Sequence, residues 1–172
     1  MTFLIMKYSI RIVRETARGE AGRRVVRTRA RHGHPGPPGT EAGTEGGKRA
    51  LMFLNGDGMR GGRAHRHIAG APLIGERRTA PRYRFCSVRD EFPALYPVRD
   101  GGRAILGELY DVPMPQLRDL LASEPPELEL SIVELENGDL AFGMVLRRGE
   151  HERGAHKDIT GHGGWRAYRD AT

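Results

Sequence analysis

The sequence predicts an α+β domain with a mixed, barrel-like β-sheet and a few short helices. Its predicted elements follow the order strand, helix, several strands, helix and hairpin, which is not the regular alternation of a doubly wound parallel sheet. One apolar run is typical of a buried strand, whereas two later segments alternate as strands with one solvent-exposed face do. No internal repeat is visible. These observations favour a mixed sheet over a parallel one.

The basic charge of this 172-residue chain is concentrated in residues 1–50. These hold 11 Lys and Arg against 4 Glu, whereas residues 51–172 hold 17 basic and 18 acidic residues. Residues 31–47 are rich in Gly, Pro, His, Thr and Glu, and cannot bury enough apolar surface to fold. We therefore expect 1–50 to be a disordered, dispensable leader or an extension upstream of a natural start at Met52. An arginine-rich nucleic-acid arm is the alternative.

The body of the chain has the features of a cytoplasmic protein. Its single cysteine, Cys86, excludes an intramolecular disulfide, and the apolar alternation around it predicts a buried strand thiol rather than a nucleophile. No stretch approaches the ~18 apolar residues that a membrane helix needs. Because the body is nearly neutral, we expect neither a membrane nor a nucleic-acid partner for it.

The first predicted strand of the body, residues 51–54, leads into a glycine-rich loop. Glycine occupies four of the seven positions 56–62. The loop lacks the Gly-Lys-Ser/Thr sequence of a P-loop and the glycine spacing of a dinucleotide-binding motif. It forms either a tight structural turn or a cup of backbone N–H groups for a small anion, with Asn55 and Asp57 at the rim.

A short helix is predicted over residues 60–69, where a Gly-Ala-Pro sequence ends it. Its histidines, His65 and His67, are two positions apart and point in different directions, so they cannot share a metal ion. We expect a solvent-exposed face there, and neither a metal nor a cofactor in the protein. Residues 72–76 and 82–88 are predicted strands, and the second alternates.

Residues 91–98 are predicted to form a loop, because two prolines interrupt an apolar segment. A strong strand follows over residues 103–112 and places Glu108 on a face with apolar neighbours. This carboxylate lies either on the exposed side of the sheet, which we favour, or in a polar pocket.

Pro113 begins a predicted helix, since proline is tolerated at the first helical position and apolar residues follow at helical spacing. Residues 128–135 and 140–147 are predicted strands, joined by a turn that contains an Asn-Gly pair. The remaining residues, 148–172, are expected to form a polar tail with a short C-terminal helix that docks on the body.

Four segments in one register carry a resemblance to a known superfamily. They are an Asn-Gly-x-x-Met-x-Gly loop within residues 53–61, then residues 78–84, 107–113 and 125–135. In this order they resemble the γ-glutamylcyclotransferase-like superfamily, and more closely the C-terminal domain of allophanate hydrolases and its free-standing relatives. The resemblance covers residues 51–147 and implies a γ-glutamylcyclotransferase-like domain there.

The resemblance also implies site residues. In cyclotransferases the loop amides hold the α-carboxylate of a γ-glutamyl group, and a glutamate with a raised pKa moves protons as general acid and base. By position Glu124 resembles that glutamate, and Glu108 is the second catalytic candidate. Arginine near the loop can pair with a substrate carboxylate through its planar fork. The substrate-binding candidates are therefore Asn55, Gly56, Asp57, Gly58, Met59, Arg82 and Tyr83.

The function expected from these residues is general acid/base catalysis on a small carboxylate-bearing amide. The alternative is a non-catalytic metabolite-binding or accessory domain of urea and allophanate nitrogen metabolism. The sequence contains no Ser-Ser-Lys nucleophile set of an amidase, so we do not expect complete allophanate hydrolysis by this polypeptide alone. The expected protein partners are a second copy of the chain, in a homodimer, or an amidase.

Overall fold

A mixed β-sheet with short helices around it is the framework of the protein. The structure, a computed structural model, describes residues 47–154 and 156–172, all within one unit of the chain. The strands of this part are β1 (Arg49–Leu54), β2 (Leu73–Arg78), β3 (Tyr83–Val88), β4 (Phe92–Pro97), β5 (Leu106–Pro113), β6 (Leu128–Glu134), β7 (Leu140–Leu146) and β8 (His156–Asp158). The helices are α1 (Met114–Ala122), α2 (Arg148–Arg153), α3 (Trp165–Asp170) and two 3₁₀ helices, Arg63–Ile68 and Thr160–His162.

The sheet combines antiparallel and parallel pairs. Its strands follow the order β2-β5-β1-β7-β4-β3-β8, and β6 pairs with β7 outside this path. β1 is antiparallel to β5 and parallel to β7, and β4 is also parallel to β7. This mixed sheet with few short helices confirms the predicted α+β class. It does not close into a barrel, because β2 and β8, the two ends of the path, do not pair with each other in the described part of the chain.

One edge of β7 pairs with two different strands, β1 and β4, which diverge from each other. Its other edge is fully paired with β6, whereas β1 pairs with it only at Phe142 and Gly143 and β4 only at Val145. Both β1 and β4 run parallel to β7, so β1 leaves this edge where β4 joins it. A gap therefore opens between the end of β1 and the start of β4, and the site described below lies in this gap.

The close packing of β1 against β5 depends on Gly107. A Cβ atom at this position would lie 2.4 Å from the carbonyl oxygen of Leu54 and 2.5 Å from the ring of Phe53. Any side chain would push the end of β1 away from β5, because real Cβ atoms do not approach backbone so closely. Gly107 thus fixes the point from which the glycine-rich loop begins.

Most predicted elements are confirmed, with shifted ends. β1 continues the predicted strand 51–54 backwards to Arg49, and α1 begins directly after Pro113, which caps it. The hairpin of β6 and β7 matches the two predicted strands. The predicted helix at 60–69 is a 3₁₀ helix, Arg63–Ile68. Apart from residues 47–50, the predicted leader lies outside the described residues.

Two predictions are wrong in this part of the fold. Residues 91–98 are not a loop, because Phe92–Pro97 forms β4 and pairs with β3 along its length. Its prolines are tolerated because the second edge of β4 meets β7 only at Leu95. Residues 148–157 are more than a polar tail: they contain α2 and the start of β8, which pairs with β3.

Cys86 is fully buried in β3, as the alternation predicted, and burial raises the pKa of its thiol to about 12. Within residues 47–154 and 156–172, no helix has the length and apolarity needed to cross a membrane.

Candidate active site

A cavity of about 720 Å³ occupies the gap between β1 and β4. Four segments form its walls: the start of the glycine-rich loop, the 3₁₀ helix Arg63–Ile68, the turn between β3 and β4, and the segment after α1. The charged and polar residues on these walls are Asn55, Asp57, Arg63, Arg66, His67, Arg89, Glu91, Ser123, Glu124 and Glu127. The cavity is large enough for a small organic ligand.

The glycine-rich loop presents unpaired backbone donors at the cavity. The N–H of Met59 donates to the Gly56 carbonyl at 3.0 Å, and the N–H of Ala64 donates to the Asp57 carbonyl at 3.1 Å, so the loop is tightly turned. The N–H groups of Gly56, Asp57 and Gly58 donate to no acceptor in the described residues. Backbone N–H groups of a glycine-rich loop that have no protein acceptor can bind a compact anion.

Gly56 has a steric role in this loop. A Cβ atom there would lie 2.7 Å from the side chain of Pro93 at the start of β4. The glycine therefore allows the loop and β4 to approach each other across the gap, where both residues line the cavity.

Glu124 reaches the cavity from the segment that follows α1. The backbone N–H of Glu124 donates to the Leu121 carbonyl at 3.3 Å, which continues the helical turn and fixes its position. Partial burial, together with the nearby Asp57 carboxylate, raises the pKa of Glu124 from 4.5 to about 7. Near neutral pH the carboxyl is therefore populated in both protonation states, as a proton-transfer group requires.

Some polar atoms at the cavity walls lack partners. Asn55 is only 8% exposed, and its Nδ2 atom has no hydrogen-bond partner within the part of the chain that the structure describes. The same is true of His67 Nε2 and Glu127 Oε2. Buried polar groups in native proteins are nearly always hydrogen-bonded, to protein, ordered water or a ligand, so these atoms are available to bind a polar ligand or water in the cavity.

Charged side chains surround the mouth of the cavity. Arg89 forms ion pairs with Glu127 and with Glu91, and Arg63 pairs with Asp57 at 3.2 Å. Arg89 holds the pKa of Glu127 below its ordinary value through their hydrogen bond. Glu127 therefore stays ionised when Glu124 titrates, so the two carboxyls differ in charge near neutral pH.

The structure brings together one group of the predicted site residues. Glu124 and the loop residues Asn55, Gly56, Asp57 and Gly58 all line the same cavity. Met59 lies apart from them, because its side chain is buried and lines a second, smaller cavity of about 150 Å³ beside α3.

Arg82 and Tyr83 also lie away from the large cavity. The guanidinium of Arg82 donates to the Glu134 carboxylate at 2.8 Å, and the hydroxyl of Tyr83 accepts a hydrogen bond from the backbone N–H of Glu134 at 3.0 Å. Both side chains are thus bonded to the end of β6 instead of approaching the glycine-rich loop.

The favoured expectation that Glu108 is exposed is wrong, since it is 1% exposed. Its carboxylate accepts hydrogen bonds from the Arg60 N–H at 2.8 Å, the Tyr110 hydroxyl at 2.7 Å and the Arg166 guanidinium at 2.9 Å. Burial raises the pKa of Glu108, but these three bonds outweigh it and leave the pKa below its ordinary value. Glu108 does not line the large cavity, and its charge is neutralised by protein groups.

Sequence reasoning missed several residues of the cavity wall. Arg89, Glu91 and Glu127 received no role, and His67 was predicted only as a solvent-exposed residue. Arg89 was missed because residues 91–98 were predicted as a loop, so the turn between β3 and β4 was not recognised. No local pattern distinguishes Glu127 from the exposed glutamates near it.

Comparison with known proteins gives one family match. Residues 50–170 match the allophanate hydrolase C-terminal domain family. A search of curated proteins gives no match.

Solved structures share the fold. A uropathogenic E. coli-specific protein is 29% identical with a TM-score of 0.66, over 73% of this chain and 98% of that one. Kluyveromyces lactis allophanate hydrolase is 24% identical with a TM-score of 0.66, over 72% of this chain and 21% of the hydrolase. K. lactis urea amidolyase is 24% identical with a TM-score of 0.67, over 72% of this chain but only 8% of the amidolyase.

Proposed function

Because this chain belongs to the allophanate hydrolase C-terminal domain family, we propose that it is an enzyme domain for a small carboxylate-bearing amide, with Glu124 as its general acid and base. One observation carries the proposal. A half-buried carboxyl with a pKa of about 7 shares a cavity with backbone N–H groups that have no acceptor in the described residues. This pairs an anion-binding element with a proton carrier.

The glycine-rich loop binds the carboxylate of the substrate in this proposal. The N–H groups of Gly56, Asp57 and Gly58 donate to its oxygens, and the unpartnered Nδ2 of Asn55 donates to a further polar atom. These donors belong to a tightly turned loop, so little ordering is needed when the substrate binds. The cavity, of about 720 Å³, accommodates a small organic substrate.

Glu124 moves protons at the scissile amide. As a carboxylate it takes the proton from the attacking amine or water, and as a carboxylic acid it returns that proton to the departing nitrogen. A group with a pKa near the working pH performs both transfers, since each form is present in quantity. Asp57 supports this role through its negative charge, which favours the protonated form of Glu124.

Ser123 is not the nucleophile in this proposal, although it lies beside Glu124. Its hydroxyl donates to the Leu120 carbonyl at 2.7 Å and so completes the last turn of α1. We therefore assign the attack to water or to an amine of the substrate, and no covalent enzyme intermediate is formed.

Turnover of a panel of small amides by wild-type protein and by Glu124→Gln tests the proposal. The panel contains γ-glutamyl amino acids, allophanate and N-carboxylated amides. We expect Glu124→Gln to lower the turnover of the accepted substrate by about 10²-fold or more. Glu129→Gln is the matched control, because Glu129 is exposed on β6 and does not line the cavity.

Two results would overturn the proposal. One is full turnover by Glu124→Gln. The other is binding of a panel compound without turnover and without any effect of Glu124→Gln, which is the behaviour of a metabolite-binding accessory domain.

A further inference from the structure

Arg166, in the C-terminal helix α3, is bonded to the end of the glycine-rich loop. One of its guanidinium nitrogens donates to the Arg60 carbonyl at 2.8 Å and to the Glu108 carboxylate at 2.9 Å. The N–H of Arg60 donates to the same carboxylate at 2.8 Å. Both backbone groups of the residue that follows Met59 are therefore held by Arg166 and Glu108.

Packing and hydrogen bonds both join α3 to the loop. Trp165 and Met59 are buried in the same hydrophobic core. A cavity of about 150 Å³ lies beside them, with Gly107 also among its lining residues. The hydrogen bonds of Arg166 add a polar connection between α3 and the Arg60 end of the loop.

Tyr168, two residues after Arg166 in α3, is bonded to the turn between β3 and β4. Its hydroxyl, which is buried, donates to the Asp90 carboxylate, and the Ser87 hydroxyl donates to the same oxygen at 2.9 Å. Arg169 adds a hydrogen bond to the Asp90 carbonyl at 3.3 Å. The C-terminal helix thus holds this turn through both the side chain and the backbone of Asp90.

The turn needs such support because its backbone is strained. Arg89 and Asp90 have φ values of 51° and 58°, the left-handed region that residues other than glycine rarely adopt. Each such residue costs about 1 kcal/mol or more, and the conformation persists only where surrounding contacts hold it. This conformation places Arg89 on the cavity wall, where it pairs with Glu127.

We infer that Arg166 and Tyr168 are positioning residues for the cavity: Arg166 holds the wall formed by the glycine-rich loop, and Tyr168 holds the wall formed by the β3–β4 turn. Neither residue lines the large cavity itself. The assignment of the cavity as the active site rests on the proposed function. The C-terminal helix therefore positions the walls of that site indirectly, through its hydrogen bonds to Arg60 and Asp90.

Solution NMR of the full chain without any ligand tests this inference. Arg166→Gln is expected to shift the amide signals of residues 56–60, and Tyr168→Phe those of residues 88–92. Each variant is expected to lower the titration midpoint of the Glu124 carboxyl by about 0.5 pH unit or more, because a loosened wall admits water. Arg166→Lys is expected to keep the midpoint close to its wild-type value, since an ammonium group can donate to both the Arg60 carbonyl and the Glu108 carboxylate.

The controls are Arg118→Gln, an exposed arginine on α1 that pairs with Asp119, and Thr172→Val, two residues beyond the end of α3. Both are expected to leave the wall signals and the midpoint unchanged. If Arg166→Gln does not fold, Arg166→Lys and Tyr168→Phe decide the question. Lower stability with unchanged wall signals and an unchanged Glu124 midpoint would overturn the inference. These measurements use no substrate, so failure of the proposed function in the turnover assay would leave them unaffected.

Discussion

Replacing Glu124 with glutamine should remove a pH-dependent part of the free energy of unfolding. The folded protein holds a proton on Glu124 up to a pH of about 7, whereas the unfolded chain releases it near the ordinary value of 4.5. Between these values the folded state binds more protons, so the free energy of unfolding of the wild-type protein falls as the pH rises. Glutamine does not titrate and lacks this dependence.

The magnitude follows from the size of the pKa shift. A rise from 4.5 to about 7 corresponds to about 3 kcal/mol. Because the Glu124 carboxyl is only partly buried, screening by solvent reduces this figure to about 2 kcal/mol. Glu124→Gln should therefore gain about 2 kcal/mol in stability relative to wild type between pH 4.5 and pH 8.

Urea unfolding of wild type and Glu124→Gln at several pH values measures this difference. Other titrating groups cancel when the two curves are subtracted, provided that the mutation does not alter them. Glu129→Gln serves as the control and should follow the wild-type curve. A difference between Glu124→Gln and wild type that is constant over this pH range, or that changes in the opposite direction, would refute the assigned environment of Glu124.

Three further substitutions test separate parts of the site. Asp57→Asn should lower the NMR titration midpoint of Glu124 while leaving it above 4.5, because burial is the larger cause of the shift; an unchanged midpoint would contradict this. Glu108→Gln should lower the free energy of unfolding by about 2 kcal/mol, since Arg166 and Arg60 lose a charged partner. Gly56→Ala should cost about 2 kcal/mol by overpacking against Pro93. Urea unfolding measures both, and wild-type stability in either variant would count against its assigned contacts.

Local sequence patterns were sufficient to predict the elements that neighbouring residues determine. The apolar run of β1, the proline before α1 and the Asn-Gly turn between β6 and β7 each depend on neighbouring residues only. β4 was not recognised because two prolines interrupt its apolar run, and they are tolerated only because β7 meets β4 at a single residue. That pairing depends on the whole sheet.

The environment of Glu108 illustrates a second limit. Both faces of β5 are largely buried, so alternation does not identify an exposed side. The groups that neutralise Glu108 come from Arg60 and Arg166, which are 48 and 58 residues away in the chain. The positions of Glu124 and the glycine-rich loop in one cavity likewise depend on the divergence of β1 and β4 from β7, which no local pattern contains.

The claim that Glu124 carries the proton is tested most directly by the pH dependence of kcat/KM. It is measured for wild type and Asp57→Asn with the substrate that the panel identifies. The account predicts one ionisation near pH 7 in the wild-type profile, and a shift of this ionisation to lower pH in Asp57→Asn, because the Asp57 charge contributes to the raised pKa of Glu124. A wild-type profile without an ionisation near pH 7, or one that is unmoved in Asp57→Asn, would contradict the claim that Glu124 carries the proton.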